Sequence, residues 1–172
     1  YDNLFGYFNK YIIFNYKFRE LLYKEIEIFT IYANELNLPL EHYNDLNFLN
    51  EKLKKNKFVY DNSTVFFSGT KLAERGAMSY GDEISLIMKI SDYWKKRNKR
   101  LIYVTKRTTS EKKISMLKKK SIDCVSFDLP LEIALFIYSN KSIPKDFCSF
   151  GSTLDKTLPL LYKNLKVHLI NF

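Results

Sequence analysis

Cysteine, histidine, proline and glycine are all scarce in this chain of 172 residues, which holds two cysteines, two histidines, four prolines and five glycines. Cys124 and Cys148 cannot build a disulfide framework. With no CxxC pair and no nearby histidine pair, a structural zinc site is not expected either. Both thiols fall in apolar surroundings, so they are expected to be reduced and buried on neighbouring or nearby strands. Low glycine and proline exclude collagen-like and linker-like chains. The longest unbroken apolar run, Ile133 to Tyr138, is far short of the ~20 residues of a membrane-spanning helix. No Walker loop and no GxGxxG is present, which removes the usual signals of P-loop hydrolysis and ordinary dinucleotide binding. No basic-then-apolar leader opens the chain and no methionine stands at position 1. That reads as a piece of a longer, cytoplasmic protein.

What is present is a globular composition with an excess of positive charge: 46% apolar and 27% charged residues, with 28 basic against 19 acidic. The balance of +9 favours an anionic partner, whether nucleotide, nucleic acid, acidic glycan or lipid headgroup. Between Lys95 and Lys120 stand 12 basic residues and one acid, Glu111. A nucleic-acid surface would need more than charge, and no recognition helix, zinc-finger spacing or RNP-like aromatic strand accompanies the run. Nucleic acid is therefore not the expected partner.

The chain divides into residues 1–60, a helical segment and linker, and residues 61–172, an alternating domain. In the first, Phe14, Phe18, Leu21, Leu22, Ile26, Phe29, Tyr32 and Leu36 recur at spacings of three and four and predict one core-facing helix over 10–36. Residues 40–58, rich in asparagine and lysine, read as a loop with a short helix. In the second, strands are expected at 64–67, 101–104, 122–127, 147–150 and 167–170. Helices are expected between them: from the Ser79 cap, over 109–120, from Pro130 to Tyr138, and over 152–163 with a kink at Pro159. Five strands alternating with helices predict an α/β fold, a Rossmann-like parallel sheet with helices on both faces.

Ligands of such sheets bind beyond the carboxyl ends of the strands. That directs attention to the loops at 68–76, 105–109, 128–130 and 150–153. Gly151-Ser152-Thr153 joins a glycine and two hydroxyls to a helix start, where free N–H groups attract phosphate; the plainer reading is that Ser152 or Thr153 is an N-cap. Lys106 and Arg107 follow a strand and could pair with the same phosphate or simply be solvated. Glu132 lies in the first turn of its helix, as a ribose-hydroxyl acceptor or as a carboxylate favoured by the helix dipole. His42 and His168 are far apart in sequence, and His168, within the last strand, reads as a satisfied core histidine.

Four segments resemble the motifs of one family, in order along residues 64 to the C-terminus. Phe66-Phe67-Ser68-Gly69-Thr70-Lys71-Leu72-Ala73-Glu74-Arg75-Gly76 is similar to the phenylalanine-glycine-x-x-leucine-x-glutamate segment of bacterial lipooligosaccharide sialyltransferases and their α-2,8-polysialyltransferase relatives. Ile102-Tyr103-Val104-Thr105-Lys106-Arg107 resembles their tyrosine-x-x-histidine motif, Phe127-Asp128-Leu129-Pro130-Leu131-Glu132 their proline-x-glutamate motif, and Ser149-Phe150-Gly151-Ser152-Thr153-Leu154 their serine-serine/threonine motif. The resemblance implies an inverting, metal-independent GT-B glycosyltransferase whose CMP-binding domain is residues 61–172. Gly69, Arg107, Glu132, Gly151, Ser152 and Thr153 would then hold the nucleotide, with Ser152 and Thr153 on the phosphate and Glu132 on the nucleoside. The family histidine falls at Lys106. The acceptor base of the first domain would be Asp2, in Asp2-Asn3-Leu4-Phe5-Gly6.

The same resemblance implies a nucleotide-sugar donor, CMP-sialic acid, and an anionic glycan or glycolipid acceptor, with no further cofactor. It is compatible with peripheral contact at the inner membrane and with a homodimer. Lysine in the histidine position can neutralise phosphate as a point charge. It can act as an acid near neutrality only if burial or a neighbouring cation lowers its pKa. That replacement favours the alternative of a non-catalytic nucleotide- or glycan-binding domain; a third alternative, a nucleic-acid-binding module, rests on charge alone.

Overall fold

The computed structural model describes Glu51, Leu53, residues 58–138 and residues 142–171. The expected helix over 10–36, most of the expected loop at 40–58, His42 and the candidate base Asp2 lie outside these residues.

The described elements alternate strictly: β1 (Val59–Ser68), α1 (Tyr80–Lys95), β2 (Arg100–Val104), α2 (Glu111–Lys119), β3 (Asp123–Val125), α3 (Leu131–Tyr138), β4 (Ser142–Ser149), α4 (Leu154–Leu161) and β5 (Lys166–Leu169). All five strands are parallel, in the order β3-β2-β1-β4-β5. This is the expected α/β architecture with Rossmann-like strand order. The chain winds outward from β1 through β2 to β3, then crosses back to place β4 on the other side of β1. The order reverses between β1 and β4, and a crevice outside the carboxyl ends opens at such a switch point.

Strand alternation sorts the core into two layers. Val65, Phe67, Leu101, Tyr103 and Cys148 point to one face and pack with Ile84, Ile87, Ile90 and Trp94 of α1 and Leu117 of α2. Each of the larger apolar side chains contributes about 1.5–3 kcal/mol through burial. The buried Leu131, Ala134 and Leu135 of α3 and Leu158 and Leu161 of α4 belong to the helix pair after the crossover.

The helix starts follow the local chemistry. Ser79 caps α1 by accepting the Asp82 N–H at 3.1 Å, and Ser110 caps α2 by accepting the Lys113 N–H at 3.3 Å. Asn98 and Ser121, both at positive φ, follow the two helices. There the N–H of the next residue turns back onto Trp94 in one case and Leu117 in the other.

Two strand boundaries differ from expectation for one reason. β1 begins at Val59 and β4 at Ser142, and their pairing shifts register between Asp61 and Val65. Residues 61–63 and Pro144 fall outside the strands expected at 64–67 and 147–150. Here Pro144 pairs with Asp61 at the irregularity, the kind of position where a strand tolerates a missing N–H. Asp61 accepts from the Ser63 N–H at 2.7 Å and from the hydroxyls of Ser63 and Thr64, both at 2.6 Å, which stabilises the bulge.

Among the described residues, no helix is long and apolar enough to cross a membrane. Both cysteines are free, and Cys148 is buried as expected; Cys124 is only half-buried, because β3 is a three-residue edge strand. The thiols are not neighbours: β2 and β1 intervene, so three strand spacings put them about 14 Å apart.

Candidate functional site

The loops after β1, β2 and β3 are tied to one another at the carboxyl edge of the sheet. Gly69 N donates to the Val104 carbonyl at 2.7 Å, and Thr105 N donates to the Val125 carbonyl at 2.8 Å. Arg107 Nη2 donates to the Asp128 carbonyl at 3.4 Å, and Ser110 N donates to Glu74 Oε1 at 3.1 Å. The loop after β4 completes this edge beside the switch point.

The residues expected to bind ligand all lie on this edge, apart from Asp2, which is outside the described residues. Several of them already have structural work. A Cβ at Gly69 would meet the Val104 carbonyl oxygen at 2.5 Å, so the missing side chain serves the close approach of β1 to β2. Gly151 has φ 99°, a conformation that other residues adopt only with strain. Glu132 Oε1 accepts the Thr157 hydroxyl at 2.8 Å, and the Glu132 carbonyl accepts the Tyr162 hydroxyl at 2.5 Å, which joins α3 to α4.

The start of α4 is occupied in a way the sequence did not suggest. Thr153 is the cap residue but makes no side-chain cap bond. Asp155 instead folds back: its Oδ2 accepts the Ser152 N–H at 2.5 Å, and its carboxylate accepts the Ser149 hydroxyl at 2.7 Å. Ser149 Oγ in turn accepts the Gly151 N–H at 2.9 Å, and Ser152 Oγ accepts the Leu154 N–H at 3.3 Å. A carboxylate thus already takes one backbone donor at this helix start, and two serine hydroxyls take others.

Lys106 stands at the opposite side of the crevice, its backbone N–H held by Thr109 Oγ1 at 2.8 Å. Though exposed as a residue, its ammonium is partly desolvated, and repulsion from Lys71 and Arg75 adds to that. Together these hold its pKa below the ordinary lysine value, with Asp155 opposing. A lowered pKa moves lysine toward the acid role that the histidine position would require.

A buried polar cluster beneath this edge went unrecognised in the sequence. Lys113 Nζ donates to Glu83 Oε1 at 2.8 Å, to Glu74 Oε2 at 2.5 Å and to the Thr70 carbonyl at 2.9 Å. Neither Lys113 nor Glu83 is exposed at all. Glu83 also accepts the Ala73 N–H at 2.8 Å and the Thr70 hydroxyl. The Tyr103 hydroxyl accepts the Thr70 N–H at 3.1 Å, and burial raises its pKa. For Glu74, burial would raise the carboxyl, but the bonds from Lys113 and Ser110 outweigh it and leave the pKa below the ordinary value. A signal existed: Glu83 is four residues before Ile87, and Lys113 four before Leu117, so both sit on apolar helix stripes.

His168 is satisfied as expected, with Nε2 2.7 Å from Asp146 Oδ1, but it is half-buried rather than a core residue. Its ring packs edge-on to Trp94 with centroids 5.0 Å apart.

No protein-family model matches the chain, and no curated protein or solved structure matches it. The class is therefore defined by the fold alone: a Rossmann-like α/β domain with basic side chains at the carboxyl edge of its sheet.

Proposed function

We propose that residues 61–172 are the nucleotide-binding half of a GT-B glycosyltransferase of the bacterial sialyltransferase kind, which takes CMP-sialic acid as donor. The supporting observation is the convergence, at the carboxyl edge beside the β1/β4 switch point, of Lys106, Arg107, Glu132, Ser152 and Thr153. The four motif segments that resemble the family also end on this edge.

In this reading an acceptor hydroxyl of a lipooligosaccharide or capsular glycan attacks the anomeric carbon of the sialyl group. The bond from that carbon to the phosphate oxygen breaks, and CMP leaves with the electron pair. The acceptor proton passes to an acid residue of the first domain, Asp2 being the candidate. Lys106 and Arg107 stabilise the phosphate charge that grows as CMP departs, and Lys106, with its lowered pKa, can donate a proton to it. Fold by itself does not fix function, and the motif likeness adds the substrate class.

The test is CMP release from CMP-sialic acid by the full-length protein. Lys106→Ala should slow release about 10²-fold, the scale of losing one electrostatic stabiliser. Lys106→His should retain or raise it, since imidazole titrates near neutrality. Release indifferent to Lys106→Ala would exclude this role. A second reading, a non-catalytic nucleotide-binding domain, is favoured by the Asp155 carboxylate at the start of α4. Binding of CMP without any turnover would select it.

A further inference from the structure

The turn after β1 carries two cations that the motif likeness does not use. Residues 71–77 form a compact turn, with Arg75 N donating to the Lys71 carbonyl at 2.9 Å and Ala77 N to the Leu72 carbonyl at 2.8 Å. The buried cluster clamps this turn from below. Glu83 holds the Ala73 N–H, Lys113 holds the Thr70 carbonyl and Glu74, and Glu74 reaches across to the Ser110 N–H and hydroxyl at 3.1 and 3.2 Å. The last contact pins the turn to the very loop that bears Lys106. Glu74, the one acid of the turn, is therefore turned inward and paired, while Arg75 is exposed and Lys71 half-buried.

Lys71 is half-buried and Arg75 exposed, and neither forms an ion pair with another described residue; nor does Lys106. Lys71 and Arg75 are also the two cations that repel the Lys106 ammonium most. These three positive charges stand on two loops pinned to each other, with Asp155 the one carboxylate that acts on Lys106 against the repulsion, a poor arrangement for stability alone, since like charges repel. They suit an anion that bridges them.

We propose that Lys71 and Arg75, on the clamped turn after β1, join Lys106 in a seat for a phosphate dianion such as that of a nucleoside monophosphate. This deepens the nucleotide reading above and rests on it only for the identity of the ligand. It also relieves the difficulty at α4. The Asp155 carboxylate already stands there, on the Ser152 N–H and the Ser149 hydroxyl, so the phosphate charge falls to the β1 and β2 loops, and Ser152 and Thr153 supply neutral contacts at most. The guanidinium of Arg75 offers a planar fork to two phosphate oxygens, and the two lysines act as point charges.

The experiment is calorimetric titration of the full chain with CMP, cytidine and inorganic pyrophosphate. Three proteins are compared: wild type, Lys71→Ala/Arg75→Ala, and Lys163→Ala/Lys166→Ala. The last loses the same charge from the α4–β5 connection and the first residue of β5, at the opposite edge of the sheet. Both doubles change surface side chains and should fold. Loss of two charge-assisted contacts should weaken CMP at least about tenfold in the first double, with less than about twofold change in the second. Any cytidine affinity should be unaffected in both.

Equal weakening in the two doubles would show a general charge effect and overturn the seat. CMP binding unchanged by Lys71→Ala/Arg75→Ala would overturn the seat and leave the nucleotide reading standing. Pyrophosphate binding that needs Lys71 and Arg75, with no preference for CMP, would keep the seat and remove the nucleotide. Failure of wild type to bind either anion would overturn it.

Discussion

Glu83 and Lys113 meet at 2.8 Å, on two different helices, with no part of either side chain in contact with solvent. The pair is also bonded to Thr70, Ala73 and Glu74, so every charge in it has several partners. Replacing one member leaves an uncompensated charge in the interior. Lys113→Met should therefore lower unfolding stability by about 3–5 kcal/mol. Urea denaturation at pH 7 measures it, and a loss under about 1 kcal/mol would show that the cluster relaxes or hydrates.

Asp155→Asn should separate stability from binding. The carboxylate accepts from Ser149 and Ser152 at the start of α4, so its loss should cost about 1 kcal/mol, the usual worth of a cap. Removing its negative charge from a helix N-terminus beside the proposed phosphate seat should raise CMP affinity about two- to fivefold, on the scale of a helix-end charge interaction. A paired melt and titration gives both signs. Weaker binding in the variant would mean that Asp155 orders the loop for the ligand.

Asp146 predicts an acid limb. Burial alone would raise its carboxyl, but the hydrogen bonds and charge contributed by Lys99 and His168 outweigh that and hold its pKa below the ordinary carboxylate value. The unfolded chain thus binds the proton more readily than the native one. The stabilisation is fully present above about pH 4, where the unfolded carboxyl is ionised, and is lost as pH falls through the lower native value. Asp146→Asn should reduce stability by about 1.5–3 kcal/mol at pH 7, the worth of a charged hydrogen bond. Its urea midpoint should depend less on pH below 4 than that of wild type. Parallel acid limbs in the two proteins would assign the sensitivity to other carboxylates.

The thiols should differ in reactivity. Burial pushes the Cys148 thiol up to about 12 and also raises that of Cys124, but Cys124 is only half-buried and so open to reagent. Thiolate is the reactive form, so a disulfide reagent should label Cys124 in the native protein and Cys148 only on unfolding. Mild oxidation should yield no internal disulfide, since Cα atoms more than about 7 Å apart cannot be bridged. Equal native labelling rates would contradict the burial of β4.

Much of the fold was legible along the chain because its signals are local. Ser79 and Ser110 stand where helix starts were expected, and the strands 101–104 and 167–170 came within a residue of β2 and β5. Alternation of short apolar runs with helix stripes points to a parallel sheet, because each intervening helix supplies the crossover that parallel neighbours need. The carboxyl-edge loops followed from the same logic. The early starts of β1 and β4 did not, because Asp61 and Pro144 look like turn residues until each supplies the other's irregular partner.

Sequence by itself determined the alternating α/β class, the basic excess and the set of loops that meet at one edge. All of these follow from residue type and spacing within about ten positions, the range over which helix and strand periodicity act. Tertiary structure alone decided which charges are buried and which are presented. Glu74, Glu83 and Lys113 lie up to 39 positions apart and pair only because β1, α1 and α2 pack together. Helix spacing sets Lys113 on the Leu117 face and Lys112 off it, but nothing local says that a charge on that face will find two carboxylates, and nothing local marks Asp155 as the group at the start of α4. Burial is a property of the packed layers, and a charge taken out of water must find its counter-charge there, whatever its distance along the chain.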